Sequence, residues 1–109
     1  MNLKLGALNC QGLLDKIENP EFQNLITNTD IFCVSETWLH DNQKVDIDGY
    51  KFYPQNRKTT EKGPQRGGIG IFIDKKIKKH VKILDSISSE YTIWCQVDKK
   101  FSQAIPIYI

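Results

Sequence analysis

The chain has 109 residues, 39% hydrophobic and 26% charged, with a formal net charge of +2. A chain of this size fits one small globular unit that buries roughly 65% of its unfolded surface, and so small a net charge identifies no polyanionic partner. No stretch approaches the roughly 20 apolar residues of a membrane span, and the N-terminus lacks the apolar block of a signal peptide, so a soluble protein with no membrane partner is expected. Cys10, Cys33 and Cys95 lie far apart with no CxxC pair. An odd count without metal-ligand spacing points to reduced thiols and an intracellular protein.

In chain order, "LKLGAL" (residues 3–8) alternates Leu3, Leu5 and Ala7 with Lys4 and Gly6, the period of a strand. "NPEFQNLI" places Asn19 as N-cap, Pro20 at the first helical position and Glu21 in the first turn. Its apolar residues Phe22, Leu25 and Ile26 predict a short amphipathic helix. "IFCVS" (residues 31–35) reads as a strand buried on both faces. A turn at Asp48-Gly49 leads into an alternating segment with Tyr50 and Phe52, which Pro54 is expected to end. "KTTEKGPQRGG" has loop composition, and "IGIFI" (residues 69–73) is a further buried strand. "DKKIKKH" reads as a charged turn, and "VKIL", "YTIWCQV" and "AIPIYI" as additional strands. The fold class is α/β: one strand–helix–strand unit, then mostly strands.

Chemistry enters where the first two strands end. A short strand–helix–strand crossover makes its strands parallel, so both carboxyl ends emerge on one sheet edge, the edge where open α/β sheets place ligands. Asn9 follows the first strand and Glu36 the second. A carboxylate beside an amide suits a hard cation such as Mg²⁺, which often takes only one or two protein carboxylates. Strands also end in polar residues that merely meet solvent, and Asn commonly serves turns, so both readings stand on these residues alone. Near the same edge, Trp38 is a candidate to stack on a nucleotide or simply to pack, and Arg66 is a candidate to contact a DNA phosphate or to be solvated. His40 lacks the second His or Cys that a zinc site needs. The lysines around His80 are read as a solvated turn, with a DNA-backbone stripe as the alternative.

The segments "LKLGALNCQGL", "DIFCVSETWL", "IDGYKFYPQNR" and "RGGIGIFI", in this order and spacing, resemble the endonuclease/exonuclease/phosphatase superfamily. The resemblance is strongest to the apurinic-type endonuclease domain that precedes reverse transcriptase in non-LTR (LINE-type) retrotransposons. It implies a four-layered, DNase I-like α/β sandwich and Mg²⁺- or Mn²⁺-dependent phosphodiester hydrolysis on a target DNA duplex, hence a nuclear location. Glu36 falls on the family's metal-binding glutamate and Asn9 on its active-site asparagine. In that branch the nick leaves a 3′-hydroxyl that primes reverse transcription.

The family's later motifs, a "GDFN"-like turn and a Ser-Asp-His, do not occur in residues 1–109. The chain is therefore expected to be the N-terminal portion of such a domain, truncated inside an apolar run, with the C-terminal half of the same domain as its missing partner. Without a base to activate water, no turnover is expected from this portion alone. Strands over residues 69–73 and 105–109 are expected to expose apolar faces meant for that half. The alternatives are a degenerate or domesticated non-catalytic remnant that serves as a binding module, and a phosphatase or phospholipase of the same superfamily.

Overall fold

The computed structural model describes residues 3–57, 65–84 and 92–97, and the backbone of 106–108. Its elements are β1 (Leu5–Asn9), α1 (Pro20–Thr27), β2 (Ile31–Ser35), β3 (Tyr50–Gln55), β4 (Ile69–Asp74), a 3₁₀ turn (Lys78–His80), β5 (Val81–Ile83), β6 (Trp94–Val97) and β7 (Pro106–Tyr108). The α/β class is as expected. The part of the expected loop over residues 58–64, Tyr91 of the expected "YTIWCQV" strand, and Ala104, Ile105 and Ile109 of the last expected strand lie outside the described residues, and so does the expected exposure of the 105–109 side chains.

Four strands form one mixed sheet in the order β1-β2-β4-β3, and β5-β6-β7 form a second, antiparallel sheet. β1 and β2 are parallel with Asn9 opposite Ser35, as the crossover requires. β4 runs antiparallel to β2, with Ser35 opposite Ile69 and Ile31 opposite Ile73. These registers decide which residues share an edge. The carboxyl ends of β1 and β2 lie beside the start of β4 and, through Gln55 opposite Ile69, beside the end of β3.

Helix α1 starts where its cap chemistry says it should. Asn19 Oδ1 accepts from the backbone N–H of Glu21 at 2.8 Å and of Phe22 at 3.4 Å, and Pro20 follows at the first helical position. Phe22 and Ile26 are buried against Phe32, Val34 and Phe72 on one face of the first sheet. Leu25, expected on that same face, is 51% exposed. The helix buries an i, i+4 pair and leaves the i+3 residue in solvent, so its contact stripe is narrower than its apolar pattern.

The opposite face of the first sheet carries Ile31, Ile69, Ile71 and Ile73, packed with Ile93, Cys95 and Val97 of the second sheet's segment. Three layers result: helix, sheet, sheet. The expectation that residues 69–73 expose an apolar face is therefore overturned, because the second sheet already covers them. β4 is buried on both faces, as its unbroken apolar run implies. β3 continues through Pro54 to Gln55. It is an edge strand, where a residue without an N–H is tolerated. β1 is the other edge, and Leu5 (54% exposed) is not the inward residue that its alternation predicts. No helix among the described residues is long and apolar enough to cross a membrane.

Candidate functional site

After β1 and β2 end, their chains stay bonded to each other. Cys10 N donates to Ser35 O, Gly12 N to Glu36 O and Leu13 N to Thr37 O, each at 2.9 Å. From the other side, Thr37 N donates to Gly68 O at 3.2 Å and Trp38 N to Gly67 O at 2.9 Å. The buried Cys10 thiol adds a donor to Ser35 O at 3.1 Å. Residues 36–38 are thus clamped between the segment after β1 and the segment before β4.

That clamp holds an unusual backbone. Glu36 has φ 53°, Trp38 φ 57° and Gln11 φ 45°, all in the left-handed region that non-glycine residues rarely adopt. Each such residue costs on the order of 1–3 kcal/mol and persists only where its surroundings over-determine it. Gly68 makes the clamp possible. Its φ is 91°, and a Cβ there would stand 2.5 Å from Thr37 Oγ1. Thr37 is itself buried, and its hydroxyl has no hydrogen-bond partner among the described residues.

The turn folds Trp38 back onto Glu36. The indole Nε1–H donates to Glu36 Oε2 at 2.7 Å, and the backbone N–H of Gly67 donates to the same oxygen at 3.2 Å. Among the described residues nothing hydrogen-bonds to Oε1. Arg66 is exposed and places its guanidinium carbon 4.3 Å from the centroid of the Trp38 ring, a cation–π contact.

Of the residues anticipated from sequence, Glu36, Trp38 and Arg66 meet in one contact network, and Asn9 stands exposed on the same sheet edge, in register with Ser35. No hydrogen bond joins the Asn9 and Glu36 side chains among the described residues. His40 is exposed, with its backbone N–H given to Gln43 Oε1 at 2.8 Å. The lysines flanking the 3₁₀ turn follow Asp74, at the end of β4 remote from Glu36, so they do not belong to this edge. One residue was not anticipated. Arg57, just past β3, lies against Gly67, where its guanidinium occupies the place a Cβ would take.

The donor set is one half-free carboxylate and an amide on one edge, hard oxygen chemistry that fits a cation retaining most of its water, as Mg²⁺ does. No cluster of three His, Cys, Asp or Glu exists among the described residues. Two surface clefts of about 330 and 360 Å³ formed by described residues lie elsewhere. One is beside Asp41, Lys51 and Lys75, the other between Leu8, Phe22 and Leu25. No protein-family model matches this chain, and no curated protein matches it.

Proposed function

We propose that this chain is the N-terminal portion of a Mg²⁺- or Mn²⁺-dependent phosphodiesterase, a DNA-nicking endonuclease of the retrotransposon type, and that its Glu36 edge holds the cation and meets the DNA backbone. The observation that carries the reading is the Glu36 carboxylate. Two N–H donors occupy one oxygen and leave the other without a hydrogen bond among the described residues, at the carboxyl edge of a parallel strand pair. The four motif segments support the phosphodiester class, and the helix–sheet–sheet layering is compatible with three of the four layers of the DNase I-like sandwich.

In this reading Glu36 supplies the charged ligand and Asn9 an amide for the cation's water shell or a phosphate oxygen. Arg66 offers a positive charge to the phosphodiester beside them. A bound divalent cation would screen phosphate charge and supply a more acidic water. The family motifs that would carry the general base do not occur in residues 1–109, and none is assigned here. The chain by itself is expected to bind cation and DNA without cutting. That behaviour is shared with the non-catalytic binding-module reading, and only the full domain separates the two.

The test is a Mn²⁺ titration followed by electron paramagnetic resonance, run beside a plasmid-nicking assay. The expected result is saturable Mn²⁺ binding that Glu36→Gln abolishes and His40→Ala leaves intact, with no nicking. Mn²⁺ binding indifferent to Glu36→Gln would remove the site, and Glu36-dependent nicking would show that the base lies within this chain.

A further inference from the structure

A lone carboxylate in open solvent rotates freely and offers both oxygens to water, which makes it a poor single ligand. Glu36 is not in that state. Trp38 Nε1–H and Gly67 N–H both end on Oε2, at 2.7 and 3.2 Å. The shorter bond joins two residues that both adopt left-handed backbone, at φ 53° and 57°. A bulky aromatic is among the residues least suited to that region, so the strain calls for a compensating role. The ring is also held from outside. Arg66 stands over its face at 4.3 Å, and Gly12 leaves room at its edge, since a Cβ there would come 3.0 Å from Trp38 Cε3. A cation on the face of an indole draws charge from the ring and makes its N–H a stronger donor.

From this geometry we infer that Trp38 is the positioning residue of the Glu36 carboxylate. Its indole N–H dedicates Oε2 to the protein and so presents Oε1 alone to an incoming divalent cation. Arg66 acts through Trp38 by fixing the ring. The inference rests on the cation reading above and adds the residue that orients the ligand. Outer hydrogen-bond partners of metal ligands commonly set affinity by a factor of about 10 to 100.

The experiment uses the whole chain with ¹⁵N-labelled indoles. There are two tryptophans, Trp38 and Trp94, so the Trp38 Nε1–H resonance is assigned by its loss in Trp38→Phe. A bond to a carboxylate moves that proton downfield. Glu36→Gln, which does not alter the ring, is expected to move it upfield, and Mg²⁺ is expected to shift it saturably in the native chain. Trp38→Phe keeps a ring for Arg66 but lacks the donor, and it is expected to weaken Mn²⁺ binding about 10-fold, with far-ultraviolet circular dichroism unchanged. A Trp38 indole resonance indifferent to Glu36→Gln overturns the inference, as does native Mn²⁺ affinity in Trp38→Phe. If the native chain binds no Mn²⁺ at all, the cation reading fails together with the inference. If Glu36→Gln abolishes binding while Trp38→Phe does not, the positioning role alone fails. Should Trp38→Phe not fold, loss of the other resonance in Trp94→Phe supplies the assignment, and the Glu36→Gln spectrum still decides.

Discussion

Arg66 and Trp38 are joined face to charge, the guanidinium carbon 4.3 Å from the ring centroid, so the exposed arginine is tethered at the Glu36 edge rather than sampling solvent. A tethered cation loses less entropy when it meets a phosphate. Arg66→Ala is therefore expected to weaken binding of a short DNA duplex and to lower the slope of log affinity against log salt by about 1, the signature of one lost phosphate contact. Arg66→Lys keeps the charge but stacks less well, so it should retain the slope and recover only part of the affinity. Fluorescence anisotropy at several salt concentrations measures both. An unchanged slope in Arg66→Ala would place Arg66 outside the DNA contact.

Backbone strain at the site makes a second prediction, independent of ligands. Gln11 is exposed with φ 45°, and glycine adopts that conformation without steric cost. Gln11→Gly is expected to raise stability by about 0.5–1 kcal/mol even though glycine is more flexible when unfolded. Gly68→Ala should do the opposite, losing about 1–3 kcal/mol, because φ is 91° and the new methyl meets Thr37 Oγ1. Urea denaturation of the two variants checks the pair. Equal effects of the same sign would mean that the clamp around residues 36–38 is not held as described.

Much of this was legible in the sequence, and the reasons differ from place to place. β2 and β4 were readable because strands buried on both faces are written as unbroken apolar runs. Helix α1 was readable from Asn19 and Pro20, whose cap chemistry is local. Glu36 and Asn9 were placed on one edge by handed crossover geometry alone. Register was not legible. It takes the β3–β4 pairing to bring Arg57 against Gly67, and the β2–β4 pairing to send the lysines after Asp74 to the far edge. Nor does local pattern say what covers a strand. Leu5 faces solvent because β1 is an edge, and Ile71 and Ile73 are buried because a second sheet lies on them. The Trp38–Glu36 bond was out of reach because it joins two left-handed residues, a conformation that no propensity favours.

Burial between the two sheets sets an alkaline limit on the fold. Burial pushes the Cys33 thiol from 9.0 up to about 11, with Cys95 adding to the rise. Burial likewise raises Cys10, from 9.0, and Tyr50, from 10.0. In each case the folded chain holds its proton more tightly than the unfolded chain does. The stability tied to these neutral groups is therefore complete below pH 9 and is lost as pH climbs through the folded-state values. The melting temperature is expected to hold steady up to pH 9 and fall between pH 9 and 11, and to fall less steeply in Cys33→Ala. A flat profile across that interval would mean that the Cys33 thiol is solvated.

The most direct measurement is the coupling between cation and DNA at Glu36. A fluorescent DNA duplex is titrated with the chain in Mn²⁺ and again in chelator, for the native protein and for Glu36→Gln. If Glu36 holds a cation that bridges to a phosphodiester, Mn²⁺ strengthens DNA binding by about fivefold, roughly 1 kcal/mol, in the native chain and not in Glu36→Gln. Affinities that are the same with and without Mn²⁺, or a Mn²⁺ effect that survives Glu36→Gln, would contradict a metal-assisted phosphodiester site at this edge.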